Sequence, residues 1–153
     1  RAQLKILDSQ IKKRNIIASL YLDELRDYYE KYNILKKPNF NYKFSLNKKY
    51  KKLSSKSIHA FYRLNLFINK DKVNQLKLLE QFNQKKIDCG VGSCPEIYRE
   101  KVFKKFKLYP KKRLTNAKLL GETSITFPID ANRKLTKVKR EILLIKRIFN
   151  KYI

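Results

Sequence analysis

The chain has 153 residues, 42% of them hydrophobic and 12% aromatic. That is enough to bury a single core and excludes a disordered tail, despite 33% charged residues. Its apolar runs reach only about four residues, and a bilayer-spanning helix needs about 20. The formal net charge is +25, from 38 Lys+Arg against 13 Asp+Glu, and it has two readings. An excess of this size points to nucleic acid or an anionic membrane. Lysine, however, far outnumbers arginine and travels with Asn, Ile, Tyr and Phe, residues whose codons are A/T-rich. A biased genome loads any protein this way, whereas a dedicated nucleic-acid binder favours the planar arginine fork. The bland reading is preferred, and nucleic acid is kept as the alternative partner.

The first residues are periodic. Leu4, Leu7, Ile11, Ala18, Leu22, Leu25 and Tyr29 follow steps of three, four and seven along one helical stripe. The spacing predicts one helix of about 30 residues. The chain contains no methionine and starts on Arg1 inside this pattern, without a capping residue. A piece of a longer protein is the expectation, with this helix as a connector.

Residues Asn33 to Ser57 hold Pro38, the lysine run Lys48–Lys52 and a serine-rich stretch. They predict an irregular insertion with one short strand near Tyr42–Leu46. Bulky alternation over Ile58–Ile68 predicts a strand. Asn69 and Asp71 offer caps for a following helix whose stripe is Val73, Leu76, Leu79 and Phe82. Ile87–Val91 reads as a second strand. Leu114–Leu120 reads as a short helix stopped by Gly121, Thr123–Phe127 as a third strand with Ser124 and Thr126 on one face. A last helix follows, capped by Thr136, with the stripe Val138, Ile142, Ile145, Phe149 and Tyr152.

Between the second strand and a helix starting at Pro95 lies Ile87-Asp-Cys-Gly-Val-Gly-Ser-Cys-Pro-Glu-Ile-Tyr98, with two of the chain's three glycines and both cysteines. Glycine here marks backbone that turns sharply or approaches something closely. Gly90 and Gly92 let backbone N–H groups come near a ligand, Ser93 adds a hydroxyl, and Glu96 and Tyr98 add hydrogen-bonding side chains. His59 and Arg63, near the first strand, are further candidates for substrate contact. The plain alternative for the loop is a strand-to-helix turn with a capping serine. Cys89 and Cys94, spaced C-x4-C, lack the C-x2-C pairs of a structural zinc site, so no metal is expected. Two thiols without secretory features fit a reducing, cytoplasmic location.

These segments in this order resemble the C-terminal part of the DegT/DnrJ/EryC1/StrS sugar aminotransferases. Arg1–Asp8, Lys13-Arg14 and Tyr21–Leu25 resemble the long helix that follows that family's catalytic lysine. His59-Ala-Phe-Tyr62 resembles the family's approach to its small domain. The 89–98 loop resembles one branch's version, and Leu120-Gly-Glu-Thr-Ser124 the segment before the final strand. The resemblance implies a fold type I pyridoxal-phosphate (PLP) enzyme, usually a homodimer, that moves an amino group from an amino acid onto a nucleotide-linked keto sugar. It also implies that the Schiff-base lysine and the carboxylate facing the pyridinium lie upstream of Arg1. No residue of this chain is therefore assigned a catalytic role, and the chain is not expected to be active alone.

The expected fold class is α/β (α+β): a long connecting helix over 1–33, and a small C-terminal domain over 34–153 with a short sheet and helices packed on it. Two further functional readings stand beside the enzyme fragment. One is a basic nucleic-acid-binding domain using Lys48–Lys52, Lys104-Lys105 and Lys111–Arg113. The other is a split or decayed gene product without activity.

Overall fold

The structure, a computed structural model, describes residues 2–36, 59–92 and 94–153. The strand expected near 42–46 and the lysine run 48–52 lie outside the described residues. Helix α1 covers Ala2–Glu24, and α2 covers Arg26–Glu30. No Gly or Pro interrupts this stretch, so nothing in it opposes a helix. The single expected helix is nonetheless broken at Leu25, whose φ of −96° and ψ of 9° leave the helical region. Leu25 is fully buried there. After α2 the chain reverses at Asn33, with φ of 52°, a left-handed conformation that asparagine tolerates.

The stripe on α1 divides in two. Leu4, Ile6 and Leu7 are exposed, whereas Ile17, Ala18, Leu20, Tyr21 and Leu25 enter the core. Tyr21 stacks obliquely on Phe127 at 5.3 Å, and Tyr28 on Phe149 at 5.1 Å. The C-terminal half of the long helix thus shares one core with the rest of the chain.

Strand β1, Arg63–Phe67, pairs antiparallel with β2, Ser124–Pro128. Leu64 lies opposite Phe127 and Leu66 opposite Ile125, and all four are buried. The period of two puts them on the core face and puts Asn65, Ser124 and Thr126 on the other. Ile87–Val91 forms no strand. It contributes a single bridge, Gly90 to Thr126, with N–H···O distances of 3.0 and 2.8 Å. Beyond it the Gly92 N–H turns to the Ser124 hydroxyl, and Pro95 has no N–H to continue a ladder.

The remaining helices shift against their expected boundaries. Helix α3 is Gln75–Gln84, capped by Asn74, whose side chain accepts from the Lys77 N–H at 3.0 Å. Asn69 is unavailable as a cap. It is buried, and its side chain donates to the Asn33 carbonyl and accepts from the Asp71 N–H. Val73 is buried ahead of the helix, Leu78 and Phe82 are its buried pair, Leu79 is half-buried, and Leu76 is exposed. After Pro95 comes one 3-10 turn, Ile97–Arg99, then the short helix α4, Lys101–Lys105.

Helix α5, Thr115–Thr123, runs through Gly121 rather than stopping at it, and β2 follows directly. The Gln75 amide donates to the Gly121 and Ser124 carbonyls at 2.9 and 2.7 Å, satisfying acceptors that a helix end leaves open. Helix α6, Leu135–Phe149, starts on Lys134, and Thr136 makes no cap. The Lys134 carbonyl accepts the Lys137 and Val138 N–H groups. Its buried stripe is Val138, Ile142, Ile145, Ile148 and Phe149, each worth about 1.5–3 kcal/mol of burial.

Candidate functional site

The 89–98 loop crosses the polar face of β2. The Gly92 N–H donates to the Ser124 hydroxyl at 3.2 Å, and the Thr126 hydroxyl donates to the Asn65 amide oxygen at 2.6 Å. Ser124 and Thr126 do share a face, as the alternation predicts, and the loop buries both. No glycine has a positive φ, so conformational freedom does not explain these two. Close approach explains Gly92: an added Cβ would sit 2.8 Å from the Ser124 Oγ and 3.1 Å from its Cβ. A Cβ on Gly90 would meet nothing within 4 Å. We therefore expect Gly92→Ala to destabilise the fold by about 1–3 kcal/mol and Gly90→Ala to stay within about 0.5 kcal/mol of wild type. Urea unfolding of both variants checks this; equal midpoints would contradict the crowding account.

Past Gly92 the loop is tied to α5. Glu96 accepts two bonds from Arg113, at 2.7 and 2.6 Å, one from Tyr98 Oη at 2.7 Å and one from Arg99 at 3.3 Å. The Tyr98 hydroxyl in turn accepts the Leu114 N–H at 3.1 Å. The Arg113 guanidinium, followed by the Tyr98 and Arg99 hydrogen bonds, holds the Glu96 carboxyl well below the usual range, at about 2. Pro95 meets Gly121, where a Cβ would come within 3.0 Å of its Cγ. Pro95, Leu114, Thr115, Asn116, Ala117 and Leu120 line an open depression of about 470 Å³ beside the loop.

The candidate residues fall into two groups. Gly92, Glu96 and Tyr98 lie at the Ser124 end of the sheet, whereas Arg63 lies opposite Pro128, at the other end of the same strand pair. The four steps from Arg63 to Phe67 span about 13 Å at the usual strand rise. His59 stays with the Arg63 group: its Nδ1 accepts the Phe61 N–H at 2.9 Å, and its carbonyl accepts from the Asn15 amide at 2.8 Å. Arg63 is exposed over the Tyr62 ring, 5.8 Å from its centroid. Ser93 lies outside the described residues.

Burial pushes the Cys89 thiol up to about 12, so it is no nucleophile at neutral pH. Among the described residues no group of three or more His, Cys, Asp or Glu is placed to hold a metal ion. No described helix is long and apolar enough to cross a membrane. Reading the sequence missed Arg113, which stood there only as one member of a basic cluster. Its partner is 17 positions away, beyond the reach of any helical or strand period.

A model of the DegT/DnrJ/EryC1/StrS aminotransferase family matches residues 1–143. No curated protein matches the chain by sequence. Among solved structures, an aminotransferase from Psychrobacter cryohalolentis superposes with a TM-score of 0.83 at 26% identity, over 99% of this chain and 37% of that one. Helicobacter pylori PseC, an aminotransferase involved in the biosynthesis of pseudoaminic acid, gives 0.74 at 19% identity, over 99% and 36%. An E. coli GDP-4-keto-6-deoxy-D-mannose-3-dehydratase with bound hydrated PLP gives 0.68 at 17%, over 94% and 33%. The chain thus spans about a third of the length of each, and the two likenesses at lower identity speak for the fold alone. Its mixed helices and short two-stranded sheet are the aminotransferase fold over that part. From the family match over nearly its whole length, the chain belongs to the DegT/DnrJ/EryC1/StrS aminotransferase family.

Proposed function

We propose that these 153 residues are the C-terminal part of a PLP-dependent enzyme that transfers an amino group from an amino acid to a nucleotide-linked keto sugar. In this reading residues 1–33 connect to a large cofactor-binding domain and 34–153 form the small domain. The chain supplies substrate contacts through the 89–98 loop, with His59 and Arg63 as a second group, and surface for a homodimer. The cytoplasm is the expected location. The observation that carries the reading is the family match over residues 1–143. The same family match supports the choice of cofactor and substrate class.

PLP would supply the electron sink for amino transfer. The described residues do not fit the task of holding it. A lysine that bonds the cofactor has to give up its proton, which burial promotes. None of the described lysines is buried. The two half-buried ones, Lys118 and Lys146, face Glu122 at 3.7 Å and Glu24 at 3.1 Å. In this reading the cofactor lysine belongs to the large domain.

Borohydride reduction in the presence of PLP tests that division. The longer protein carrying this chain should acquire one cofactor on a lysine outside these 153 residues. The chain alone should acquire no stoichiometric label at a single site. A unique labelled lysine within the chain would overturn the assignment.

A further inference from the structure

The segment from Val91 to Leu108 has little to hold it. Its 3-10 turn and α4 bury no residue, and Val91, Ile97, Val102, Phe106 and Leu108 are exposed. Backbone pairing ends at Gly90. Among the described residues its ties to the fold are the Gly92–Ser124 hydrogen bond, the packing of Pro95 on Gly121, and the clasp on Glu96. Of these the clasp alone is charge-assisted and bidentate, the stronger and more directional kind.

The clasp also leaves Glu96 nothing to offer a sugar. A carboxylate has about four acceptor sites, and Glu96 receives four hydrogen bonds: two from Arg113, one from Tyr98 and one from Arg99. Its side chain is 15% exposed. Tyr98 spends its proton on Glu96 and accepts from the Leu114 backbone. These atoms face each other and α5.

We propose that Arg113 is a positioning residue for substrate binding: its fork holds Glu96 and, through Tyr98, the start of α5, fixing the shape that the 89–98 loop presents to the sugar. The proposal rests on the reading of that loop as substrate-facing. Glu96 and Tyr98 then act through the loop's shape and not by touching the sugar. Lysine in place of Arg113 keeps the charge and loses the fork.

The test is steady-state kinetics of the longer enzyme with Arg113→Ala, Arg113→Lys and the double exchange Glu96→Arg/Arg113→Glu, beside hydrogen exchange on the same proteins. Arg113→Ala should raise KM for the sugar nucleotide about tenfold, with kcat and the amino-donor KM within about twofold. Lysine should fall between, and the double exchange should recover most of the loss. Amides of residues 94–100 should exchange faster in Arg113→Ala, with those of α6 unchanged. In wild type the protection of the 94–100 amides should persist down to pH 4.5, because Arg113 holds the Glu96 carboxyl well below the usual range, at about 2. In Arg113→Ala the carboxylate loses its main partner, so whatever protection these amides keep should be lost at higher pH than in wild type.

An Arg113→Ala enzyme with wild-type sugar KM overturns the proposal, whether or not the loop loosens. Equal rises in both substrates' KM would mark a general structural role and also overturn it. A wild-type enzyme that turns over no nucleotide-linked keto sugar contradicts the functional reading itself, and this proposal with it.

Discussion

Phe127→Ala should be the most damaging single truncation, lowering stability by about 3–5 kcal/mol. Phe127 is fully buried on the core face of β2. Its ring lies 5.3 Å from that of Tyr21 on α1 and 5.9 Å from that of Phe82 on α3. Phe82 in turn contacts Phe149 of α6 at 5.9 Å. Removing the ring therefore opens a void where a strand and three helices meet, and rigid neighbours cannot collapse into it. A domain of this size holds roughly 5–15 kcal/mol in total, so the loss is a large fraction. Calorimetry should show a fall in Tm on the order of 10 °C. A change under about 2 °C would mean that the aromatic cluster is not where the core is held.

Glu141→Leu should cost about 2–4 kcal/mol, for a different reason. Glu141 bonds Arg133 at 2.5 Å and accepts a hydrogen bond from the Tyr21 hydroxyl, which joins α6 to α1. The side chains of Arg133 and Glu141 are 22% and 13% exposed. Burial, followed by the Glu141 charge, pushes the Tyr21 hydroxyl far above its ordinary range, so Tyr21 stays protonated and donates. Leucine would leave a guanidinium and a phenol without their acceptor, and an abandoned partly buried charge costs more than its pair contributed. The double variant Glu141→Leu/Arg133→Leu should recover much of the loss. If it unfolds as readily as the single variant, the cost comes from packing and not from the stranded charge.

The sequence made the interior more legible than the loop. The alternation at Leu64 and Leu66, the bulky Ile125 and Phe127, and the α6 stripe from Val138 to Phe149 each bury as their periods predict. Periodicity reports burial, and burial decides these elements. Boundaries were less readable because tertiary bonds set them. Asn69 was taken from capping by the Asn33 carbonyl, Gly121 sits inside α5 because Pro95 needs the room, and α1 breaks where Leu25 enters the core. For the site, only one of the two loop glycines, Gly92, marks a close approach, and Gly90 has open space. What Gly92 approaches is Ser124 of the same chain. The Glu96–Arg113 pair, which ties the loop down, has no local signature at all.

The most direct test of the account is amine transfer measured on the longer protein that the proposed function calls for. Supplied with PLP, an amino-acid donor and a panel of nucleotide-linked keto sugars, it should convert one of them to the amino sugar, seen by NMR of the product. It should bind DNA only weakly, without sequence preference. No transfer to any keto sugar, together with tight DNA binding that falls steeply with salt, at a log–log slope of about −0.9 per phosphate contacted, would contradict it.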